Sequence, residues 1–522
     1  MPLSLNISSE AKRALVVGLL FVFVFFAWEG RQGFSLWDEG YLWYGIQRVM
    51  HGEVPIRDFQ AYDPGRYYWS ALIMWVSGSS GISAVRYTLV ILQAAALVPV
   101  LAWLGASSNK RGSGTYLFIC ALTLMVWMVP RHKLFDISIS IGLVCVLAAW
   151  TLRPTTRRYF GAGAFVGFVA YFGRNHGIYG ALASIGILVY LAVRCEDWHA
   201  WWRGIASFVV GGFVGYLPMF VTMLLAPGFT SALIESIKFL FDVKSTNLPL
   251  PIPWPWLARF GTVGLVDAFR DLTLGMFFLS TLAFGASAII YVLFCRWRHR
   301  AVSPLLVACA FAAIPYAHYA FSRADAGHLA QGIFPTLIGI LTLAGTRSAL
   351  SRYFIAVPLC VASIFAMLPL HPGWQCMGAR HCALMNIDGD SLRVDAVAEK
   401  DVLLLQKLKR DFGSTGRPFF VAPLLPGAYA LLGARSPTWE IYTAWNRSDA
   451  FQQDEIARLK QARPAFVVVY DLPLDGREEL RYKNTHPLMD QYIKDNFERL
   501  EGYSVNPAHE VYRSRDAARG SR

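Results

Sequence analysis

The strongest constraint on this chain is a succession of apolar runs that begins near residue 14 and ends near residue 370. A membrane-crossing helix needs roughly 20 mostly apolar residues, because in lipid every backbone polar group must be satisfied within the segment itself. About eleven such runs are predicted, centred near Val22, Leu92, Leu122, Val144, Phe168, Ile187, Val214, Leu282, Ala310, Ile338 and Val361. With 55% hydrophobic residues, 16% charged residues and a mean hydropathy of +0.39, the 522-residue chain is too apolar for a soluble multidomain protein. It reads as a polytopic α-helical membrane protein. The first run, Ala14 to Ala27, follows Lys12 and Arg13 in the manner of a secretory signal, but no small-residue cleavage site follows it, so it reads as a retained helix.

The net charge of +13 belongs to the turns. With the amino terminus inside, the predicted inner turns hold Lys110 with Arg111, then Arg153, Arg157 and Arg158, then Arg194 and Arg203, then Arg296, Arg298 and Arg300, then Arg347 and Arg352. Every one is basic, as the positive-inside bias requires. No basic stripe or recognised motif for nucleic acid appears.

The outer ends differ in kind. Their charges come as mixed clusters: Asp38 to Arg66; Arg131, His132, Lys133 and Asp136; Arg174, Asn175 and His176; Arg323, Asp325 and His328. Four such clusters on one side predict a shared polar site at the membrane surface. The short apolar segment Tyr67 to Val76 suits a helix lying in the interface. A long outer loop is expected over Ala226 to Asp271; its L-P-L-P-I-P-W-P-W stretch, Leu248 to Trp256, excludes helix and favours an extended path. Trp254 and Trp256 read as interfacial anchors.

After His371 the composition becomes that of a soluble segment. A helix is predicted around Val394 to Lys409 and another around Gln452 to Ala462, alternating with strands at Phe419 to Leu425 and Phe466 to Leu472. This is a small α/β domain, placed in the periplasm because an odd number of spans precedes it. It contains no Gly-rich phosphate loop, zinc spacing or nucleophile elbow. The expected division is a transmembrane domain over 1–370, with a first periplasmic loop at 34–83, and a periplasmic domain over 371–522. Of the eight cysteines, six fall in or beside apolar spans. Cys376 and Cys382 lie close together in the soluble segment, where a disulfide can persist, and the sequence leaves that pairing open.

The polar stretch from Trp37 to Trp69 carries the chemistry. Asp38 and Glu39 follow a hydrophobic helix, so the pair sits where a water-soluble group can meet a lipid-borne one. If the substrate is a sugar on a polyprenyl phosphate, transfer needs a base for the acceptor hydroxyl and cations for the departing phosphate. Asp38 is the candidate base. Glu39 would point about 100° away on a helix and orients an acceptor or a partner side chain. Arg66 and the group Arg131, His132 and Lys133 are candidates for the phosphate, with Arg174, His176, Arg323 and His328 behind them. Asp58, Asp136 and Asp325 read as partners of these cations. Two adjacent acids without further ligands do not define a metal site, and a divalent cation is left open.

W-D-E-G at Trp37 to Gly40, the G-x-x-P-x-R-D-F pattern of Gly52 to Phe59, and a many-span body with an outer soluble tail together resemble the GT-C glycosyltransferases. Among these the chain is similar to bacterial relatives of protein O-mannosyltransferases and of lipid A aminoarabinose transferase. The likeness covers the first 370 residues in architecture, and its motif is confined to the first outer loop. It implies an acidic residue of that loop at the catalytic centre, here Asp38 with Glu39 beside it. It also implies a polyprenyl-phosphate sugar as donor, inversion in a single displacement, and the bacterial inner membrane as location. The acceptor expected is a hydroxyl of a cell-envelope glycan or lipid, with protein second. R-H-K-L-F-D at Arg131 to Asp136 and S-R-A-D-A-G-H-L at Ser322 to Leu329 are assigned by topology and charge. Two other readings stand beside this one. A lipid-linked-glycan transporter or flippase would place ionisable residues near the midplane and use paired broken helices. An enzyme of the O-antigen-ligase type would use a lipid-pyrophosphate donor and a later catalytic loop.

Overall fold

The computed structural model describes residues 9–108, 113–377, 382–413, 416–503 and 508–515. Lys110 and Arg111 of the first inner turn lie outside the described residues. Every predicted span centre falls within a helix. Seven helices are long and apolar enough to cross a membrane, and up to nine if each of two bent pairs is one span. The chain is therefore a multi-pass membrane protein. The helices around Leu122 and Phe168 are 14 and 17 residues long, below the roughly 20 residues of a typical crossing, so the expected count of eleven is not reached on this criterion. The bent pairs are Trp198–Gly215 with Leu217–Leu225 at 42°, and Ala326–Gly332 with Phe334–Gly345 at 58°. In each, a proline in the first turn of the second helix, Pro218 or Pro335, lacks the N–H that would continue the first.

The chain divides into two compact units. One comprises Met1–Gly30 and Leu89–Trp374. Within it, Thr156–Phe172 and Trp198–Gly215 pack backbone to backbone, because glycine leaves room for it. A Cβ at Gly163 or Gly215 would lie 1.9 Å from a carbonyl oxygen of the facing helix, and one at Gly167 2.1 Å. The expected loop over Ala226 to Asp271 is partly helical. Phe229–Asp242 carries Phe229, Leu233, Ile237 and Phe241 at intervals of four, an apolar stripe that favours helix. The proline-rich stretch is non-helical up to Trp254 and then makes a 3₁₀ turn, Pro255–Leu257. Trp254 and Trp256 stack on each other, ring centroids 5.3 Å apart. Arg352, expected in an inner turn, is instead buried in Ala349–Met367, its guanidinium 5.3 Å from the Tyr116 ring.

The other unit comprises Arg31–Thr88 and Gln375–Arg522. The boundary expected at 371 thus assigns the first outer loop differently: the loop folds with the carboxy-terminal residues. A hairpin of β1 (Cys382–Ile387) and β2 (Asp390–Asp395) is followed by β3 (Phe420–Ala422), β4 (Phe466–Tyr470), β5 (Phe497–Arg499) and β6 (His509–Ser514). These last four form one sheet in the order β3-β4-β6-β5, with β3 and β4 parallel and the other pairs antiparallel. Each of the five residues of β4 is buried, which is why this strand reads as an unbroken apolar run. Val467 and Val469 pack with Ile456 and Leu459 of helix Asp449–Ala462 and with Ile493 of Pro487–Asn496. Asp395 starts helix Ala396–Phe412 by accepting from the N–H groups of Val397 and Ala398. Cys376 and Cys382 are disulfide-bonded.

Two glycines join the loop to the carboxy-terminal domain. A Cβ at Gly40 would lie 2.5 Å from the Cα of Gly427, whose own N–H donates to Leu36 O at 2.8 Å. The glycine of W-D-E-G is a packing requirement. Gly40→Val is expected to destabilise this unit by about 1–3 kcal/mol or more, since the obstacle is backbone and cannot yield. Thermal melting of the purified chain checks this; an unchanged Tm refutes it.

Candidate active site and cationic cluster

In the unit that holds the first outer loop, helix Asp38–Met50 begins at Asp38 itself. A carboxylate in the first turn meets the positive end of the helix dipole. The Tyr442 hydroxyl donates to Asp38 Oδ1 at 3.2 Å. Tyr41, one turn on, packs edge-on against both Tyr62 and Tyr442, with centroids at 5.1 and 5.7 Å. Burial pushes the Tyr41 hydroxyl well above its ordinary range.

Glu39 is placed otherwise. It is buried, and both its oxygens are taken by Arg86: Nε to Oε1 at 2.8 Å and Nη2 to Oε2 at 2.9 Å. Arg86 Nη2 also donates to the carbonyl of Gly33 at 2.7 Å. This two-pronged pair braces the entry to the loop. Arg66 is also buried, at 4% exposure, with its guanidinium 4.5 Å from the Tyr62 ring. Asp58 pairs with its neighbour Arg57 at 2.8 Å and accepts from the Val54 N–H at 2.7 Å. Burial works to raise its carboxyl, but these two contacts hold it below the usual carboxylate range.

The other three polar clusters meet within the membrane-spanning unit. Arg131–Lys133 form one half-buried 3₁₀ turn that runs into helix Leu134–Leu152. Gly327 lies against Pro130, which precedes that turn, and both Lys133 and Arg323 are within electrostatic reach of His328. Asp136 and His176 join the first and second clusters: His176 Nε2 donates to Asp136 Oδ1 at 3.0 Å, and the Tyr316 hydroxyl lies 2.9 Å from Nδ1. The Tyr319 hydroxyl lies at 3.4 Å from the same Asp136 oxygen. Arg174, the first residue of helix Arg174–Ala192, donates to Ser236 Oγ at 3.2 Å.

In the third cluster, Asp325 caps helix Ala326–Gly332 through the His328 N–H at 2.8 Å, accepts from His328 Nδ1 at 2.9 Å and pairs with Arg323 at 2.9 Å. Partial burial works to raise the Asp325 carboxyl, yet His328 and Arg323 hold it down to about 2. Because the carboxylate can only accept, His328 carries its proton on Nδ1, and Nε2 receives the Asn247 amide at 2.8 Å. Arg323 Nη1 also donates to Leu248 O at 3.2 Å.

These contacts sort the predicted cations. Both ring nitrogens of His176 and of His328 are engaged with protein groups, so neither ring presents a nitrogen to a phosphate. Arg66 is enclosed, and Arg323 is tied to Asp325 and Leu248. Asp136 and Asp325 pair with predicted cations, whereas Asp58, expected to do the same, pairs with Arg57. Among the described residues, no group of three or more His, Cys, Asp or Glu side chains gathers into a set that could hold a metal ion. The sequence reading missed Tyr442, Arg86, Tyr316 and Asn247. Tyr316 and Tyr319 stand three apart in an apolar span, a spacing that puts two hydroxyls on one helix face, and that signal was available. Tyr442 carries none.

The fold is shared with the archaeal oligosaccharyltransferase AglB from Archaeoglobus fulgidus, solved with an inhibitory peptide and a dolichol-phosphate. The TM-score is 0.50 at 11% identity, over 96% of this chain and 74% of that one. ArnT from Cupriavidus metallidurans bound to undecaprenyl phosphate aligns with a TM-score of 0.47 at 12% identity, over 96% and 97% of the two chains. Its apo state gives 0.48 at 11%. Identities this low speak for the fold alone. The GT-C-like architecture expected from the first-loop motif is the one found. No family description and no curated protein matches the sequence.

Proposed function

We propose that this chain is an inverting glycosyltransferase that moves a sugar from a polyprenyl-phosphate donor to an acceptor hydroxyl at the periplasmic face of a bacterial inner membrane. The acceptor class we favour is a cell-envelope glycan or lipid. The observation that carries this reading is the position of Arg131, His132, Lys133 and Arg174 at the starts of two helices of one unit. Cations at a helix N-terminus oppose the dipole, and an anion bound there offsets that cost while receiving the orphan N–H groups. A phosphate monoester anion leaving a sugar is such a ligand. The likeness in fold to an oligosaccharyltransferase solved with a dolichol-phosphate accords with it.

In the reaction, the acceptor hydroxyl gives its proton to Asp38 as its oxygen forms a bond to the anomeric carbon. The bond from that carbon to the phosphate oxygen breaks with its electron pair, and the polyprenyl phosphate departs with added negative charge. Arg131, Lys133 and Arg174 stabilise that charge, with His132 in the same turn. Glu39, Arg66, His176, Arg323 and His328 take framing roles instead.

The bent helix pairs are the one feature that a transport reading foresees. Such a reading also places ionisable residues near the midplane, and neither the break at Tyr216 nor that at Ile333 has an Asp, Glu, Lys, Arg or His within four residues on either side. The test is transfer from a panel of radiolabelled polyprenyl-phosphate sugars into total membrane glycolipid and protein, with wild type beside Asp38→Asn. Arg131→Ala and Lys133→Ala are each expected to weaken donor use by about 10- to 150-fold, in line with 1.5–3 kcal/mol for a hydrogen bond to a charged group. An unchanged donor dependence removes these residues from the phosphate site.

A further inference from the structure

The carboxy-terminal domain, in which the sequence suggested no chemistry, sends one segment to the acidic loop. Trp439 to Tyr442 is bound to the loop at five hydrogen bonds besides the one to Asp38. Trp439 Nε1 donates to Ile56 O at 2.9 Å, and the Gln60 N–H donates to Trp439 O at 2.9 Å. The Gln60 side chain receives the N–H groups of Ile441 and Tyr442 at 3.1 and 2.8 Å and donates to Tyr442 O at 3.2 Å. From the domain side the segment is held at Glu440, which is buried and takes Arg447 Nε at 2.7 Å and His486 Nε2 at 2.9 Å. One side chain of this clamped segment touches the carboxylate of the loop: the Tyr442 hydroxyl, donating to Asp38 Oδ1.

We infer that Tyr442 is the positioning residue for Asp38, so that the carboxy-terminal domain fixes the rotamer in which the carboxylate takes the acceptor's proton. This rests on the reading of Asp38 as the base. A carboxylate on an unrestrained side chain samples several rotamers, and transfer requires it within hydrogen-bond reach of one hydroxyl. A donor anchored on both sides selects one of them. The extent of the anchoring separates this contact from a chance surface hydrogen bond: Gln60 uses both ends of its amide to set the backbone of the residue that carries the phenol.

The experiment uses the purified full chain and the polyprenyl-phosphate sugar that the panel assay identifies. Tyr442→Phe keeps the ring packed on Tyr41 and removes only the hydroxyl. It is expected to lower kcat by about tenfold or more, with the donor KM and the Tm unchanged. In an Asp38→Asn background the same change should cost nothing further, because its effect passes through Asp38. Gln60→Ala, which releases the segment without touching the phenol, should lower kcat in the same way. Full kcat in Tyr442→Phe overturns the inference, as does a further loss of equal size in the Asp38→Asn background. If both variants lose rate in step with a fall in Tm, the segment is a structural brace and the inference fails. The base assignment fails separately, by an active Asp38→Asn or by the absence of Asp38-dependent label from every donor, and this inference falls with it.

Discussion

Asp38→Asn is expected to abolish sugar transfer, a loss on the order of 10²–10⁴-fold for a general base, with expression, insertion and Tm near those of the wild type. The amide has the size of the carboxylate, and its oxygen can still accept from the Tyr442 hydroxyl. It cannot take a proton at neutral pH. The substitution therefore removes the chemistry and leaves the packing of helix Asp38–Met50 intact. The radiolabel assay measures it, and the membrane fraction that loses label names the acceptor. Full activity in the variant would sink the base assignment.

The second large effect is on stability and falls on the neighbour. Glu39→Ala or Arg86→Ala each leaves a buried charge without its partner, which typically costs about 3–5 kcal/mol. Glu39 and Arg86 side chains are 8% and 1% exposed, so water cannot replace the missing group. The combined variant Glu39→Leu with Arg86→Met should recover much of the loss, because two apolar side chains of similar volume carry no desolvation penalty. Thermal unfolding and protease resistance of the purified chain provide the measurements. Glu39→Gln separates the structural role from a catalytic one: a fall in kcat at unchanged Tm would return Glu39 to the chemistry.

Of the adjacent carboxylates in W-D-E-G, Glu39 is held by Arg86 while Asp38 meets the Tyr442 hydroxyl, and the sequence could state only half of the reason. Helical geometry separates them by about 100°, so a shared role was improbable from the start. Which of them turns inward depends on Arg86, 47 positions away from Glu39. Likewise the clusters at Arg131, Arg174 and Arg323 were legible as polar interruptions of apolar spans. That His176 and His328 are spent on Asp136, Tyr316, Asp325 and Asn247 was not legible, because each ring nitrogen finds its partner through helix packing. The expected loop over Ala226 to Asp271 failed for a local reason: its prolines dominated the reading, while the four-residue apolar spacing of Phe229–Asp242 passed as part of the loop.

By itself the sequence determined that the chain crosses the membrane many times, where its long apolar helices are centred, and that it keeps acids and cations at the ends of those helices. Lipid imposes these features residue by residue, through the cost of any backbone group or charge left without a partner in hydrocarbon. Only the tertiary structure decided that the first outer loop folds with the carboxy-terminal domain, that Gly40 exists to admit Gly427, and that Asp38 meets a phenol from residue 442. Such contacts join residues hundreds of positions apart, and they depend on shape complementarity between surfaces, for which a linear pattern of polar and apolar residues carries no signal.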